Sequence, residues 1–434
     1  MNFSASTLNF SPVLIKPVCL LCQCKKSDDK KRIASLISRR QPQCMHSPRG
    51  CFYPLNALAV HPQGTQKFCL TSSLKPESNP EAFQKQCTDI HAELSRGEWP
   101  ETCRSCRSKE TKGLQSRRQK TWDRKLKVYG ADKVEKIRTG QAAPVLRHLE
   151  VSFSNVCNLN CAMCSSEFSS SWIGDDAKAV TAGLEFRNFT QSYGKIQRFS
   201  EQRMTEILSK SQELDMIIIK GGEPTREPLC LRFLSQLSEQ PREIQPIVFL
   251  QTNGTRHPKE WLPAIGRDLR LEVGFSLDGW GPVYEWIRGT NFADVMTHFL
   301  ILDESSEVQS LSIDFTLSAY NAFHFPEFLA QVLELKSRLK KLKICPFFQW
   351  AQESYARVDN LRLEDRRQIA EQVRPLFNSA PDFFANFESI LAVLEQEQAA
   401  ESCRNDARRW IDYVSGLRGS HLYDLQPQLK ASLL

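Results

Sequence analysis

A chain of 434 residues with 41% apolar and 25% charged residues is long enough to bury a sizeable core, which excludes wholesale disorder and a peptide-sized scaffold. Its formal charge of +7 sits in residues 1–50, which hold nine Lys/Arg and two Asp; the other 48 basic and 48 acidic residues balance, so the body carries no global field for nucleic acid. No apolar run approaches the roughly 20 residues that span a bilayer, and a membrane protein is excluded on that ground.

Fifteen cysteines need a context. The apolar stretch around Pro12–Leu21 is broken by Lys16 and Pro17 and lacks a basic leader, so it does not read as a secretory signal. A reducing cytoplasm with cysteines as metal ligands is the expectation. Residues 1–44 are basic and Ser-rich without amphipathic period, and read as a disordered or mis-annotated extension, with translation expected to begin at Met45. Their Cys19, Cys22, Cys24 and Cys44 leave a zinc site as the alternative.

Residues 45–110 are short of long elements and rich in cysteine, the pattern of a small metal-stapled module. Residues 111–147 form a basic connector with a helix expected around Thr121–Ile137. Fourteen basic and four acidic residues over 104–147 fit either an acidic partner or a solvated helical face. From 148 to 350 apolar strands alternate with helical sequence, the signature of a parallel sheet with crossover helices. Strands are expected at His148–Ser154, Met216–Lys220, Ile247–Gln251, Leu271–Ser276, Leu311–Leu317 and Leu342–Phe347. Helices are expected at Phe199–Lys210, Leu229–Ser238, Pro258–Ile265, Phe292–Asp303 and Phe325–Leu335. The fold class is therefore α/β, a partial (βα)6 TIM-like barrel with a small N-terminal cysteine-rich metal module. Residues 351–434 make a helical C-terminal extension against the barrel edge.

The loop after the first of these strands reads Ser154-Asn-Val-Cys157-Asn-Leu-Asn-Cys161-Ala-Met-Cys164. Three thiolates at this spacing can ligate three irons of a four-iron cluster and leave the fourth without a protein ligand; a zinc site completed by a remote residue is the alternative. A loop there opens at the carboxyl ends of the strands, where βα-barrel enzymes place their sites. The later strand ends carry, in order, Lys220-Gly221-Gly222-Glu223-Pro224, Gln251-Thr252-Asn253-Gly254, Ser276-Leu277-Asp278-Gly279 and Arg288-Gly289. Two glycines let backbone approach a ligand, and a carboxylate can receive an ammonium group.

Over residues 148–350 these motifs resemble the radical S-adenosylmethionine (SAM) superfamily. The resemblance implies that Cys157, Cys161 and Cys164 hold a [4Fe–4S] cluster whose open iron chelates SAM, with Met163 in the apolar position before the last cysteine. It implies that Gly221, Gly222 and Glu223 bind the SAM amino group, that Asn253, Ser276 and Asp278 lie along the cofactor, the last two at its ribose, and that Arg288 pairs with its carboxylate. Reductive cleavage of SAM to a 5′-deoxyadenosyl radical would follow, and a low-potential donor such as flavodoxin or ferredoxin would supply the electron.

Cys51, Cys69 and the Cys103-Arg-Ser-Cys106 pair can close a second four-ligand site. With His61-Pro-Gln-Gly64, Gln115-Ser-Arg-Arg118-Gln and the late Leu417–Pro427 segment, they resemble twitch-domain radical SAM proteins whose auxiliary-cluster segment precedes the barrel. Zinc remains the alternative there. Relatives often carry another cysteine where this chain has Leu70, and Cys87 is a substitute fourth ligand. Cys230 and Cys345 read as core residues, while Phe347, Phe348 and Trp350 read as either substrate mouth or packing. The expected function is a cytoplasmic radical SAM oxidoreductase or maturase acting on a peptide or protein. RNA is the rival substrate class, and a zinc-stapled binding protein is the non-enzymatic alternative.

Overall fold

The computed structural model describes residues 50–434, apart from 63–64, 70–71, 74–76, 112–114, 188–193, 267–268 and 385–386 and the side chains of 187 and 344–349. The extension at 1–44 therefore lies outside the described residues, with its four cysteines, as do the side chains of Cys345, Phe347 and Phe348. No described helix is long and apolar enough to cross a membrane.

One open eight-stranded sheet organises the chain in the order β2-β1-β3-β4-β5-β6-β7-β8. The strands are β1 (Ala57–Val60), β2 (Gln66–Lys67), β3 (His148–Val151), β4 (Met216–Ile219), β5 (Ile247–Thr252), β6 (Arg270–Ser276), β7 (Val308–Leu317) and β8 (Leu342–Trp350). All neighbours pair in parallel except β1 with β2. Runs such as Met-Ile-Ile-Ile in β4 are rich in β-branched residues because a parallel sheet is covered on both faces.

The main helices are α1 (Pro80–Arg96), α2 (Arg104–Thr111), α3 (Arg117–Arg138), α4 (Ile173–Thr181), α5 (Glu201–Ser209), α6 (Pro228–Glu239), α7 (Gly281–Arg288), α8 (Phe292–Glu304), α9 (Phe325–Arg338), α10 (Leu363–Ser379), α11 (Phe387–Leu394) and α12 (Glu401–Arg418). Their starts are locally encoded. Ser116 and Gln119 form a capping box on α3, and the side chains of Ser200 and Asn291 accept from the third helical N–H of α5 and α8.

All six expected strands are present within a few residues of their expected ends, as are four of the five expected helices. The fifth, Pro258–Ile265, is two short 3-10 turns, because Pro263 supplies no N–H and its ring blocks a continuous α-helix. A larger difference lies upstream. The segment expected as a module ahead of the barrel contributes β1 to the same sheet, with Ala57 opposite His148 and Val60 opposite Val151. Arg147 fixes this junction: its N–H donates to Asn56 O at 2.9 Å and its guanidinium to Asn56 Oδ1. Residues 49–434 accordingly pack as one compact unit. A smaller apolar cluster of Tyr53, Phe68, Cys69, Cys87, Ile90 and Leu94 sits beside the main core.

The basic stretch over 104–147 turns part of its charge inward and leaves Arg104, Arg107, Lys120, Lys127, Lys133 and Lys136 exposed. Arg118, Lys125 and Arg147 are buried, and the partners of α3 belong to this chain: Arg117 pairs with Glu150, Arg118 with Glu110, and Lys125 with Asp215. Tyr129 also donates to Asp215. Burial lowers the Lys125 pKa to about 8, against the pull of Asp215. The buried three are explained within the chain, and the exposed lysines of α3 form the solvated helical face that is one of the two expectations.

Candidate functional site

The cysteine loop leaves the carboxyl end of β3 and is held from every side. Ala162 N–H donates to Ile287 O at 2.7 Å, Trp172 Nε1 to Cys161 O at 2.9 Å, and Trp410 Nε1 to Ala162 O at 2.8 Å. Arg418, at the end of α12, donates to both Asn160 oxygens at 2.7 Å. Donors from the Trp172 turn and α12, and an acceptor from α7, thus fix the backbone that carries the thiols.

The loop also packs on the Gly221-Gly222 turn, and this explains both glycines. Each has a positive φ, +84° and +56°. A Cβ at 221 would stand 2.0 Å from Ser152 Oγ, and one at 222 would stand 2.6 Å from Val156 O. Only glycine satisfies both the left-handed backbone and the contact. Glu223 then donates its N–H to Val156 O at 2.7 Å.

The Glu223 carboxylate, 1% exposed, is engaged within the protein. Oε1 accepts from Thr225 N (3.1 Å), Thr225 Oγ1 (2.6 Å) and Thr252 Oγ1 (2.7 Å), and Oε2 accepts from Asn253 N (2.7 Å). It ties the β4 loop to the β5 loop and leaves lone-pair capacity only on Oε2. Asn253 continues the tie, donating from Nδ2 to Asn158 Oδ1 at 3.1 Å and to Cys157 Sγ at 3.7 Å.

On the other flank Arg288 reaches Cys161 Sγ with Nη1 at 3.3 Å and Asp278 with Nε at 2.9 Å. Asp278 also accepts from Thr316 N at 2.8 Å. Burial opposes the charge of Arg288, but Asp278 and Cys161 together outweigh it and raise its pKa. Burial raises the Asp278 pKa, against Arg288. Ser276 and Met163 line the same space.

These residues enclose a cavity of about 620 Å³ at the carboxyl ends of the parallel strands, lined by Cys157, Cys161 and Cys164. That is the size of a cofactor site. It is continuous with a deeper chamber bounded by Asp278 and Asp314, the two sharing Cys161, Met163, Ser276 and Arg288. Asp314 escaped the sequence reading, whereas Lys220 and His61 stand within its motifs without an assigned role. Asp314, on β7, has a pKa raised to about 7 by burial and by Asp278. Lys220 has a pKa lowered to about 8 by burial and by Arg117. His61 enters from the loop after β1, its pKa lowered by burial first and then by Lys220. Lys220 directly precedes the glycine pair, which was the available signal; Asp314 lies inside an apolar-looking strand and gave none.

Cys51, Cys69, Cys103 and Cys106 line a second cavity together with Trp99 and Arg117. The sequence had spread them over β1's approach, the β2 end and α2. Cys87 lies in the adjoining apolar cluster and is absent from the cavity wall, its pKa pushed to about 12 by burial. Cys230 is fully buried in α6.

The donor sets suit metal in kind: each brings three or four thiols to one wall, and thiolate is the usual ligand of iron–sulfur clusters and zinc. As the side chains stand, however, no three described His, Cys, Asp or Glu groups form an arrangement that holds a metal ion. Burial pushes the Cys157 thiol up to about 11, with Cys161 adding to it. Burial likewise raises Cys51 well above its ordinary value, with Cys69 next. Binding at either site thus requires small rotations and the loss of thiol protons.

No family model matches the chain, and no curated protein matches it. Among solved structures it is similar to anSMEcpe with bound AdoMet, at 18% identity and TM-score 0.40 over 59% of this chain and 69% of that one. It is similar to Streptococcus suis SuiB bound to precursor peptide SuiA, at 14% identity and TM-score 0.40 over 70% and 62%. TYW1 with a lysine-pyruvate adduct follows at 15% identity and TM-score 0.27 over 59% and 81%.

Proposed function

We propose that this chain is a radical SAM enzyme, an oxidoreductase or maturase built on a partial βα barrel that reductively cleaves S-adenosylmethionine. The observation that supports this most is the union of three thiols and the ordered strand-end motifs around one cavity of about 620 Å³. Cys157, Cys161 and Cys164 would hold a [4Fe–4S] cluster. A cluster of this kind supplies one electron and an open iron site that binds the amino and carboxylate groups of SAM.

The chain's own residues position the ligands. Gly221 and Gly222 bring backbone against the cysteine loop, and Glu223 locks the β4 and β5 loops that border the cavity. Arg288 supplies a fixed positive charge beside Cys161, and Asp278 holds it there. Ser276, Asp278 and Asn253 stand where hydroxyl or amide contacts to an adenosyl group are available, and Met163 offers an apolar wall.

The cavity of Cys51, Cys69, Cys103 and Cys106 would hold an auxiliary iron–sulfur cluster. A second reading has its own support: the void between those side chains is about 20 Å³, room for one zinc ion more readily than for a cluster. A peptide or protein is the proposed substrate class, a flavodoxin or ferredoxin the electron donor, and the cytoplasm the compartment. Inward pairing of Arg117, Arg118 and Lys125 accounts for part of the basic stretch that favoured RNA, while Lys120, Lys127, Lys133 and Lys136 stay exposed and keep RNA as the rival class.

Anaerobic reconstitution followed by iron, sulfide and zinc analysis tests the cofactor assignment. With dithionite and SAM the protein should form 5′-deoxyadenosine and methionine. Reconstituted protein that binds no iron through the loop thiols, or binds it and leaves SAM intact, would refute the reading.

A further inference from the structure

Three carboxylates on the walls of the candidate cavity and its chamber make no direct ion pair among the described residues, although Arg288 and Lys220 act on Asp314 from a distance. Asp314 bounds its deep chamber, is 6% exposed, and has a buried Oδ1 with no hydrogen-bond partner. The neighbouring strand makes room for it: a Cβ on Gly274 would stand 2.8 Å from Asp314 Oδ2. Gly274 has no positive φ, so its role is space, not backbone freedom. Toward the outside, Glu167 and Glu353 line the cavity beside Phe186 and Tyr355, whose rings stand 5.4 Å apart. Burial raises the Glu167 pKa, and Glu353 raises it further, so the two carboxylates feel each other.

The cations of the cavity are already engaged. Arg288 pairs with Asp278 at 2.9 Å, and Lys220 lies 3.5 Å from Glu150. Among the described residues, none of Asp314, Glu167 and Glu353 is in an ion pair. S-adenosylmethionine carries a single net positive charge, which can balance one of the three carboxylates and leaves two in surplus. Asp314, withdrawn from water, is unfavourable as a carboxylate until a cation or donor meets it, and charge-assisted hydrogen bonds are the strong ones; Glu167 is half-buried and Glu353 exposed at the entrance. Aromatic faces beside the entrance carboxylates add attraction for an organic cation, whereas a phosphodiester passing between Glu167 and Glu353 would meet like charge there.

We infer that the substrate presents a primary ammonium or similar organic cation, admitted between Glu167 and Glu353 and directed toward Asp314. This rests on the proposed function and narrows its substrate class to basic peptides or small amines. The two sources share the same chemistry and differ in whether amide backbone accompanies the cation.

The test uses the reconstituted full chain with SAM bound and compares Nα-acetyl-lysine amide, the uncharged Nα-acetyl-norleucine amide, Nα-acetyl-glutamate amide, cadaverine and a short single-stranded RNA by calorimetry. The lysine probe should bind about tenfold tighter than norleucine, with glutamate and RNA weaker still. Lysine amide ahead of cadaverine indicates a peptide source, and the reverse a free amine; both support the assignment. Asp314→Asn and the double variant Glu167→Gln/Glu353→Gln should each draw the lysine-to-norleucine ratio toward one, with circular dichroism confirming the fold. Equal affinity for lysine and norleucine, preference for glutamate or RNA, or no binding of any probe at 10 mM concentration (roughly the weakest affinity such contacts give) would overturn it. Because 5′-deoxyadenosine formation is scored separately, loss of the ammonium preference with SAM cleavage intact defeats this inference alone.

Discussion

The two thiol cavities differ in how they are made. The first draws three cysteines from one loop within eight residues, opens to about 620 Å³, and is bordered by polar groups from several strand ends. The second draws four cysteines from separate elements between 51 and 106, is small at about 20 Å³, and is walled by apolar residues with Arg117 and Arg118. A roomy cavity suits a site where a ligand enters and reacts; a tight one suits a fixed group that is installed once. If that contrast is right, damage to one cavity should leave the other's work visible.

The largest effect is expected from Cys161→Ala, which removes a loop ligand and should abolish 5′-deoxyadenosine formation outright, since a lost thiolate is poorly replaced. Cys103→Ala should keep some dithionite-driven cleavage while losing the second metal. Metal content and 5′-deoxyadenosine measured for both variants side by side decide it. Equal abolition, with the loop cluster still visible in Cys103→Ala, would erase the division between the cavities.

Next in size is the anchoring of α3, the helix that brings Arg117 and Arg118 to the second cavity. Lys125 and Asp215 are 1% and 3% exposed. Breaking a buried pair strands a charge, so Asp215→Ala should lower stability by about 3–5 kcal/mol in denaturant titrations. Replacing both partners with apolar residues should cost less. A single-site loss no greater than that of a surface ion pair would show that the pair does not hold the helix.

Sequence legibility follows the same contrast. The loop motif and the strand ends could be read because each is a local pattern: a turn, a glycine pair, an alternation of strand and helix. Strand β1 escaped because Ala57-Leu-Ala-Val60 is short and its meaning depends on pairing with His148–Val151, far along the chain. The inward course of Arg118 and Lys125 escaped for a related reason, since charge count along a sequence does not reveal which carboxylate lies opposite. The four-cysteine cavity was legible as residue types and spacing, yet the resident group is not fixed by thiols alone. Asp314 was invisible because one acidic residue in Leu311–Leu317 looks like any solvent-facing strand position.

A smaller effect sharpens the role of Glu223. Because its carboxylate accepts four donors from the β4 and β5 loops, Glu223→Gln leaves shape intact but removes acceptor capacity. SAM affinity should fall about tenfold by calorimetry, consistent with one to two kcal/mol for charge-assisted bonds, while the cluster absorption spectrum changes little. Wild-type affinity in Glu223→Gln would show that loop geometry survives without the charge.

The smallest effect concerns Asp314 in the metal-free protein. Its folded pKa of about 7 lies above the ordinary 3.8, so the folded state disfavours the charged form. That cost is absent below pH 4, grows as pH rises toward 7, and is complete above it. Asp314→Asn should therefore stabilise by about 1–2 kcal/mol at pH 8 and by nothing at pH 4. Melting curves across that range check the sign; a gain that is greatest at low pH would contradict it.

Arg418, which grips Asn160 from 258 residues further along the chain, has a bearing on biosynthesis. Ribosomes add about 5–20 residues per second, so the cysteine loop waits roughly 13–50 s between its own synthesis and the arrival of its clamp. During that interval the three thiols are tethered to a chain whose last helix has not yet been made. Iron delivery to the loop is thus best timed after release from the ribosome, and a nascent chain stalled before α12 should be a poor acceptor in a cluster-transfer assay.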